Sequence, residues 1–560
     1  MKEKSKQESL NKRCETDKAK IEKNVQQEKK EKKQPVKKKV NTKKNTNMNL
    51  NLGKCGAIGP LTPIQRRQEA FDIREDAAEF QRDIPLPNHP CNGDEDRYPN
   101  KIGNFSKTLP HNRLGEVDIN AYNVYIQALT TGNPEIFEAI PLGGVVRLAN
   151  PQASYTYDLI GPDSHHLTMI VPPTFASAWR AGEMVEDYWA ALTRDVPFID
   201  YDTNRLTIEA ADDISKLSDF RGPKEDGVVT TQTLFRGNSP GNLVGPYVSQ
   251  FFYKDIPYGN RTVIQRYDSP VAGEDFMVDY DEWLAIQNGE LPDRSITFLP
   301  LPRYIRNGRD LGQWVHVDFT YQGMLNACLI LLNFGPRALD PNNPYLNSRT
   351  QSGFITFGAA QFLDFVAKAA RVALEAAWYQ KFLVQRILRP EAFGGCVQNN
   401  LMGATNYPIN PELFDSTALP LVFDKYGTYL LPMAYPEGSP THTSYPAGHA
   451  TVAGACATML KAFFNESFII PDPVVASADG LSLMPYSGED LTVGGELNKY
   501  ATNISIGRDL AGVHWRSDSS EGLKLGETVA IQILQDFKNT YNEYFNGFTL
   551  TKFDGTTIIV

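Results

Sequence analysis

Apolar residues recur at helical spacing along seven stretches of this chain: residues 61–82, 120–129, 175–193, 322–332, 359–388, 449–464 and 522–545. Each is expected to fold as a helix with an apolar face turned to a core. Between them run long loops rich in Pro and Gly, such as residues 222–241 and 336–353, where turn-forming residues interrupt any period. Alternation of apolar and polar positions is scarce, residues 556–560 being one of few short strand candidates. No internal repeat is visible. The pattern therefore predicts a mainly α-helical fold with long loops and few short strands.

Apolar runs stop well short of the ~18–20 residues a membrane span needs. The longest, residues 325–332 and 450–460, suit buried core helices, so no membrane span is expected. Composition divides the chain differently. The first 47 residues hold 17 Lys and Arg against 7 Asp and Glu, a surplus of +10, so with −10 for the whole chain the remainder carries −20. Such a tail, nearly without aromatics, is expected to be a disordered basic extension over residues 1–55. A solvated extension is its simplest reading, ahead of a segment for an anionic partner or an address. It lacks the apolar stretch of a secretory signal, which leaves the compartment open, cytoplasmic by default. The acidic remainder, residues 56–560, is read as one α-helical domain with its active part at about residues 320–545, and no nucleic-acid partner is expected. Six cysteines, Cys14, Cys55, Cys91, Cys328, Cys396 and Cys456, show no paired short spacing, so neither a zinc finger nor a dense disulfide framework is indicated.

Three separated motifs carry the chemistry. Lys381 and Arg389 close the 359–388 stretch, and Pro390 is expected to end that helix; eight residues is about 12 Å of helical rise, so the two cations meet one anion only by leaning together. Ser444-Tyr445-Pro446-Ala447-Gly448-His449 then leads into a run of small apolar residues. There Gly448 admits close backbone approach and the first helical N–H groups are unpaired donors. Arg508 precedes His514 by six residues, which does not share a helical face, so a helix junction must bring them together. Asp518, four after His514, is placed to accept from its imidazole and fix the tautomer. Taken singly, each motif has a plain reading: a basic helix end, a turn, a surface Arg with a core His. Taken jointly they form a socket for a tetrahedral oxyanion.

This order of motifs resembles the superfamily that unites vanadium-dependent haloperoxidases with type 2 phosphatidic acid phosphatases and bacterial acid phosphatases. The spacing of eight between Lys381 and Arg389 is similar to that of the algal bromoperoxidase branch. Asn150-Pro151-Gln152-Ala153, Leu159-Ile160-Gly161-Pro162-Asp163-Ser164-His165, Ala191-Leu192-Thr193-Arg194-Asp195-Val196-Pro197-Phe198 and Gly245-Pro246-Tyr247-Val248-Ser249-Gln250-Phe251 look like the red-algal type. The likeness runs from about Gly56 to the end. It implies two four-helix bundles, a large homo-oligomer, and a vanadate cofactor that lets hydrogen peroxide oxidise bromide or another halide to a hypohalous equivalent, which halogenates small organic acceptors.

Carried over by position, His514 would bond vanadium, and Lys381, Arg389, Arg508 and Gly448 would hold its oxygens. His449 would be the acid–base group, and Lys381 would polarise bound peroxide. His442 matches a position that is His in algal bromoperoxidases and favours bromide, while Trp378 would wall the halide pocket. Ala447 departs from the pattern, standing where the family usually has a Ser that donates to vanadate. The resemblance leaves an alternative, an acid phosphatase that forms a phosphohistidine at His514 with His449 protonating the leaving alcohol. A non-catalytic relative is a third reading, for which Ala447 alone speaks. Asp340-Pro341-Asn342-Asn343-Pro344 is a candidate for structural calcium, although one acidic side chain suits a turn better.

Overall fold

The computed structural model describes residues 60–560; the basic extension expected over residues 1–55 lies outside the described residues. At the centre lies the helix Gly448–Phe463, in which every residue except His449 is buried. Its small side chains explain how this is achieved. Three helices, Ala359–Tyr379, Val493–Leu510 and Arg516–Lys538, pack around it, and toward the last of them the backbones touch. A Cβ on Gly454 would stand 2.2 Å from the Leu523 carbonyl oxygen, and one on Gly526 would stand 1.9 Å from that of Thr451. Glycine on both helices is thus what permits so close a crossing.

Further helices enclose this four-helix core. Gly308–Val317 lies against Val493–Leu510, Gln322–Asn333 against Ala359–Tyr379, and Ala178–Thr193 against both Arg205–Ser215 and Ala418–Tyr426. Strands among the described residues are short antiparallel pairs, and the expected strand at residues 556–560 is one of them: Thr557–Ile559 pairs with Thr549–Thr551. The mainly helical expectation holds, and no described helix is long and apolar enough to cross a membrane.

Two local expectations need correction. The 359–388 stretch is not one helix: the α-helix ends at Tyr379, a π-helical turn covers Gln380–Gln385, and Arg386 takes a left-handed conformation (φ 39°). Long-range contacts account for the break. Arg386 is ion-paired to Glu95, while Ile387 bridges to Asn104 and accepts from the Ser444 N–H (3.0 Å). Pro390 then opens the helix Pro390–Leu401 at its first position instead of closing the previous one, where its missing N–H costs nothing. The second correction is a helix unseen in the pattern, Val493–Leu510. It is buried on all sides, including Glu496, Asn498, Lys499, Asn503 and Asp509, so it shows no polar stripe for periodicity to detect.

Candidate active site

Four chain segments deliver the side chains. The π-helical turn carries Lys381, whose ammonium donates to the carbonyls of Thr443 (2.6 Å) and Ser444 (2.8 Å). The extended residue before Pro390 is Arg389, fully buried, and its guanidinium spans the pocket. It donates to the carbonyls of His442 (3.0 Å) and Val513 (2.6 Å), and reaches His514 Nε2 (2.8 Å) and His442 Nδ1 (3.0 Å). Arg508 sits in the last turn of Val493–Leu510, and the chain then turns at Gly512 (φ 82°) into His514. This is the helix junction that the spacing of six required.

His514 is oriented from behind. Its Nδ1 lies 2.8 Å from Asp518 Oδ2, an oxygen that also accepts from Ser444 Oγ and from the Trp515 N–H (3.1 Å). Donation from Nδ1 to a carboxylate leaves Nε2 as the lone-pair nitrogen, directed at Arg389 and the pocket. The Gly448 helix starts without a side-chain cap because Ala447 has no hydroxyl, so its first N–H donors are left for an outside acceptor. Gly448 itself serves a purpose the sequence did not suggest. A Cβ there would press on Leu374 (3.1 Å) and Trp378 (3.3 Å), so the glycine lets the helix end seat against the Trp378 indole. That ring lies 4.9 Å from the His442 ring and donates to the Asn150 carbonyl (3.1 Å), making the two a single wall.

One participant went unnoticed in the sequence. Asp318, capping the C-terminal end of Gly308–Val317, accepts from Arg508 Nη2 (2.8 Å) and stands 3.4 Å from His449 Nε2. It therefore links the third motif to the second. Nothing around Asp318 in the chain marks it, since its partners come from distant segments.

The electrostatics show what the pocket wants. Burial, reinforced by Arg389 and Arg508, drives Lys381 far below its usual range, with Asp518 opposing. Burial likewise brings Arg389 down to about 10. His514, His442 and His449 are all held well below the ordinary imidazole range by burial and by the neighbouring cations. Burial lifts Asp318 to about 6, against the pull of Arg508. Three cations share this space with two carboxylates, Asp318 and Asp518, and Arg508 Nε is buried without a partner. An added anion would relieve the depressed values of Lys381, Arg389 and the three histidines, and would push Asp318 further toward its acid form. The donor set therefore fits a tetrahedral oxyanion such as vanadate: three cations and an uncapped helix end for its oxygens, and a free imidazole nitrogen for its metal.

By contrast, the Asp340 loop is closed on itself. Asp340 accepts from the Asn342 N–H (2.8 Å), while Asn343 donates to the Phe357 carbonyl (3.0 Å) and accepts from the Tyr345 N–H (3.0 Å).

Residues 423–543 match the family profile described as the VCPO second helical-bundle domain. The vanadium-dependent bromoperoxidase of Ascophyllum nodosum is 35% identical over 511 residues, covering 86% of this chain and 90% of the relative. That of Corallina pilulifera is 36% identical over 595 residues, covering 89% and 99%. Among solved structures, the homohexameric second vanadate-dependent bromoperoxidase of Ascophyllum nodosum superposes with a TM-score of 0.85 at 29% identity, over 94% of this chain and 95% of that one.

Proposed function

This chain belongs to the vanadium-dependent bromoperoxidases, and from that premise we propose how its own residues share the reaction. The enzyme uses a vanadate cofactor, hydrogen peroxide and a halide. Bound vanadate supplies a Lewis acid that activates peroxide toward halide. The observation that carries the assignment is the convergence of buried Lys381, Arg389 and Arg508 on His514, whose far nitrogen is tied to Asp518.

In this reading His514 Nε2 would bond the metal, and the N–H groups of Lys381, Arg389, Arg508 and Gly448 would hold the oxygens. Lys381, whose ammonium donates to the carbonyls of Thr443 and Ser444 and has no carboxylate at hydrogen-bond distance among the described residues, would direct its remaining N–H at an oxygen of the bound group and draw charge from it. His449 Nε2 accepts and returns the peroxide proton, and Asp318 holds the ring in place by sitting 3.4 Å away. His442 and Trp378 border the halide, and bromide is its expected identity. Released hypohalous equivalents then halogenate small organic acceptors outside the pocket. The homohexameric assembly of the Ascophyllum neighbour supports a homo-oligomer here. Calcium is no part of this reading, because Asp340 is the loop's single acidic side chain and caps its own turn by accepting from the Asn342 N–H.

Purified protein, with and without added orthovanadate, should be assayed for bromination of a dimedone-type reporter, alongside aryl phosphate hydrolysis by the vanadate-free form. Vanadate-dependent bromination is the expected result. Phosphate hydrolysis that vanadate inhibits, with no bromination, would instead make His514 a phosphoryl acceptor.

Two further outcomes follow from the site. Ala447→Ser restores a hydroxyl at the helix start and should tighten vanadate about tenfold or more, the ~1.5–3 kcal/mol of a hydrogen bond to a charged group. An unchanged dissociation constant would mean that another donor already serves that oxygen. The second outcome concerns Asp318, whose acid form is favoured by burial up to about pH 6. As pH falls through that value the carboxylate is neutralised, the pocket gains one positive charge, and vanadate-free protein should bind the anion more tightly. Asp318→Asn should abolish this step in the pH profile of vanadate affinity; persistence of the step would assign it to another group.

A further inference from the structure

Three of the eight histidines, His89, His165 and His166, gather outside the vanadate pocket. They surround a short 3₁₀ turn, Ser164–His166, that begins after Asp163. Asp163, His165 and His166 each bring one ligand atom to within 4.8 Å of the others. The two imidazoles lie 4.2 Å apart, centroid to centroid, and His166 Nδ1 is buried without a hydrogen-bond partner. Chain adjacency brings the three side chains together, and the His166 nitrogen is left without the partner that a buried polar atom ordinarily has.

The turn is held from several sides. Gly161, left-handed at φ 73°, donates to Asp536 Oδ2 (3.0 Å). His89 Nε2 bonds the His165 carbonyl (2.9 Å), and Gln380 Nε2 donates to the Leu167 carbonyl (2.8 Å). The ligand side chains are partly exposed, so an ion has a way in and room for water. We propose that Asp163, His165 and His166 form a second metal site, taking a divalent first-row ion of the zinc, cobalt and nickel class. Two imidazoles and one carboxylate suit such borderline ions better than calcium or magnesium, which favour all-oxygen shells. Metal–ligand bonds of ~2.0–2.2 Å place tetrahedral ligand atoms ~3.3 Å apart, so the three atoms, now within 4.8 Å of one another, would draw together on binding. Because Gln380 immediately precedes Lys381, the bound ion would brace the turn against the π-helical segment that carries the pocket's lysine.

The test uses tag-free, full-length protein loaded with vanadate, so that the pocket histidines are occupied. Titration with Co(II), followed by visible absorption, should reveal one ion per chain, and Zn(II) should displace it. His165→Gln, His166→Gln and Asp163→Asn should each weaken binding at least about tenfold while vanadium content stays at the wild-type level. Zinc-edge X-ray absorption of the wild type should show two imidazole nitrogens with oxygen, a reading that stands even if one variant fails to fold. Absence of binding up to about 1 mM ion would overturn the proposal. So would variants that bind as the wild type does, or a zinc shell containing sulfur or a third imidazole.

Discussion

His514→Ala is expected to yield folded protein that retains no vanadate after gel filtration and brominates at background rate. Lys381, Arg389, Arg508 and the Gly448 N–H are hydrogen-bond donors, which hold an oxyanion by charge and can be thinned one at a time; His514 offers a lone pair whose direction is fixed from behind by Asp518. Its Nδ1 is committed to Asp518 at 2.8 Å, so Nε2 is the single nitrogen placed to bond a metal. The substitution also leaves a buried carboxylate one donor short, at a cost of about 1–3 kcal/mol in stability. Ser444 and the Trp515 N–H continue to hold that carboxylate, so the fold should survive. Vanadium content by elemental analysis, read beside the unfolding midpoint, separates the two effects. Wild-type vanadium content in the variant would remove His514 from the metal.

The second large effect is expected from a residue that has no side chain. Gly526→Ala places a methyl 1.9 Å from the Thr451 carbonyl oxygen and 2.6 Å from the Ala455 nitrogen, both backbone atoms of the central helix that cannot rotate away. The helices must separate, and overpacking of this kind costs about 3 kcal/mol or more. Vanadate affinity should fall with it, because the same two helices present Gly448 at the start of one and His514 just before the start of the other. Thr528→Ala, on the exposed side of the same helix, is the control, with an expected change within ~0.5 kcal/mol. Equal denaturation midpoints for Gly526→Ala and wild type would mean that the crossing is looser than its geometry indicates.

How much of this was legible beforehand depended on the kind of signal. The residues of the pocket could be read because an oxyanion demands permanent cations, a helix start and a proton-handling group, and those residue types stood in a definite order. His514 with Asp518 was legible from a spacing of four. Asp318 was not, because a carboxylate that pairs with Arg508 and His449 across the fold leaves no local trace. Among the helices, amphipathic ones such as Gln322–Asn333 announced themselves, whereas Val493–Leu510, polar yet wholly buried, did not. The break after Tyr379 was likewise hidden, since local propensity favours continuing the helix and only the distant partners of Arg386 and Ile387 stop it.

The pocket's groups come from segments spread between Asp318 and Asp518, and apart from the local pair His514–Asp518 they meet only when distant segments have docked, Arg508 with Asp318 and Arg389 with His514. The cations are therefore assembled around His514 by the fold, and the unfolded chain has no assembled site with which to compete for the ligand. Unfolding free energy should then rise with the logarithm of free vanadate, and a melting curve recorded against orthovanadate concentration would serve as a binding isotherm. Because the pairs that bring the cations to the pocket are more than a hundred residues apart in sequence, retention of the anion reports that those distant segments have docked.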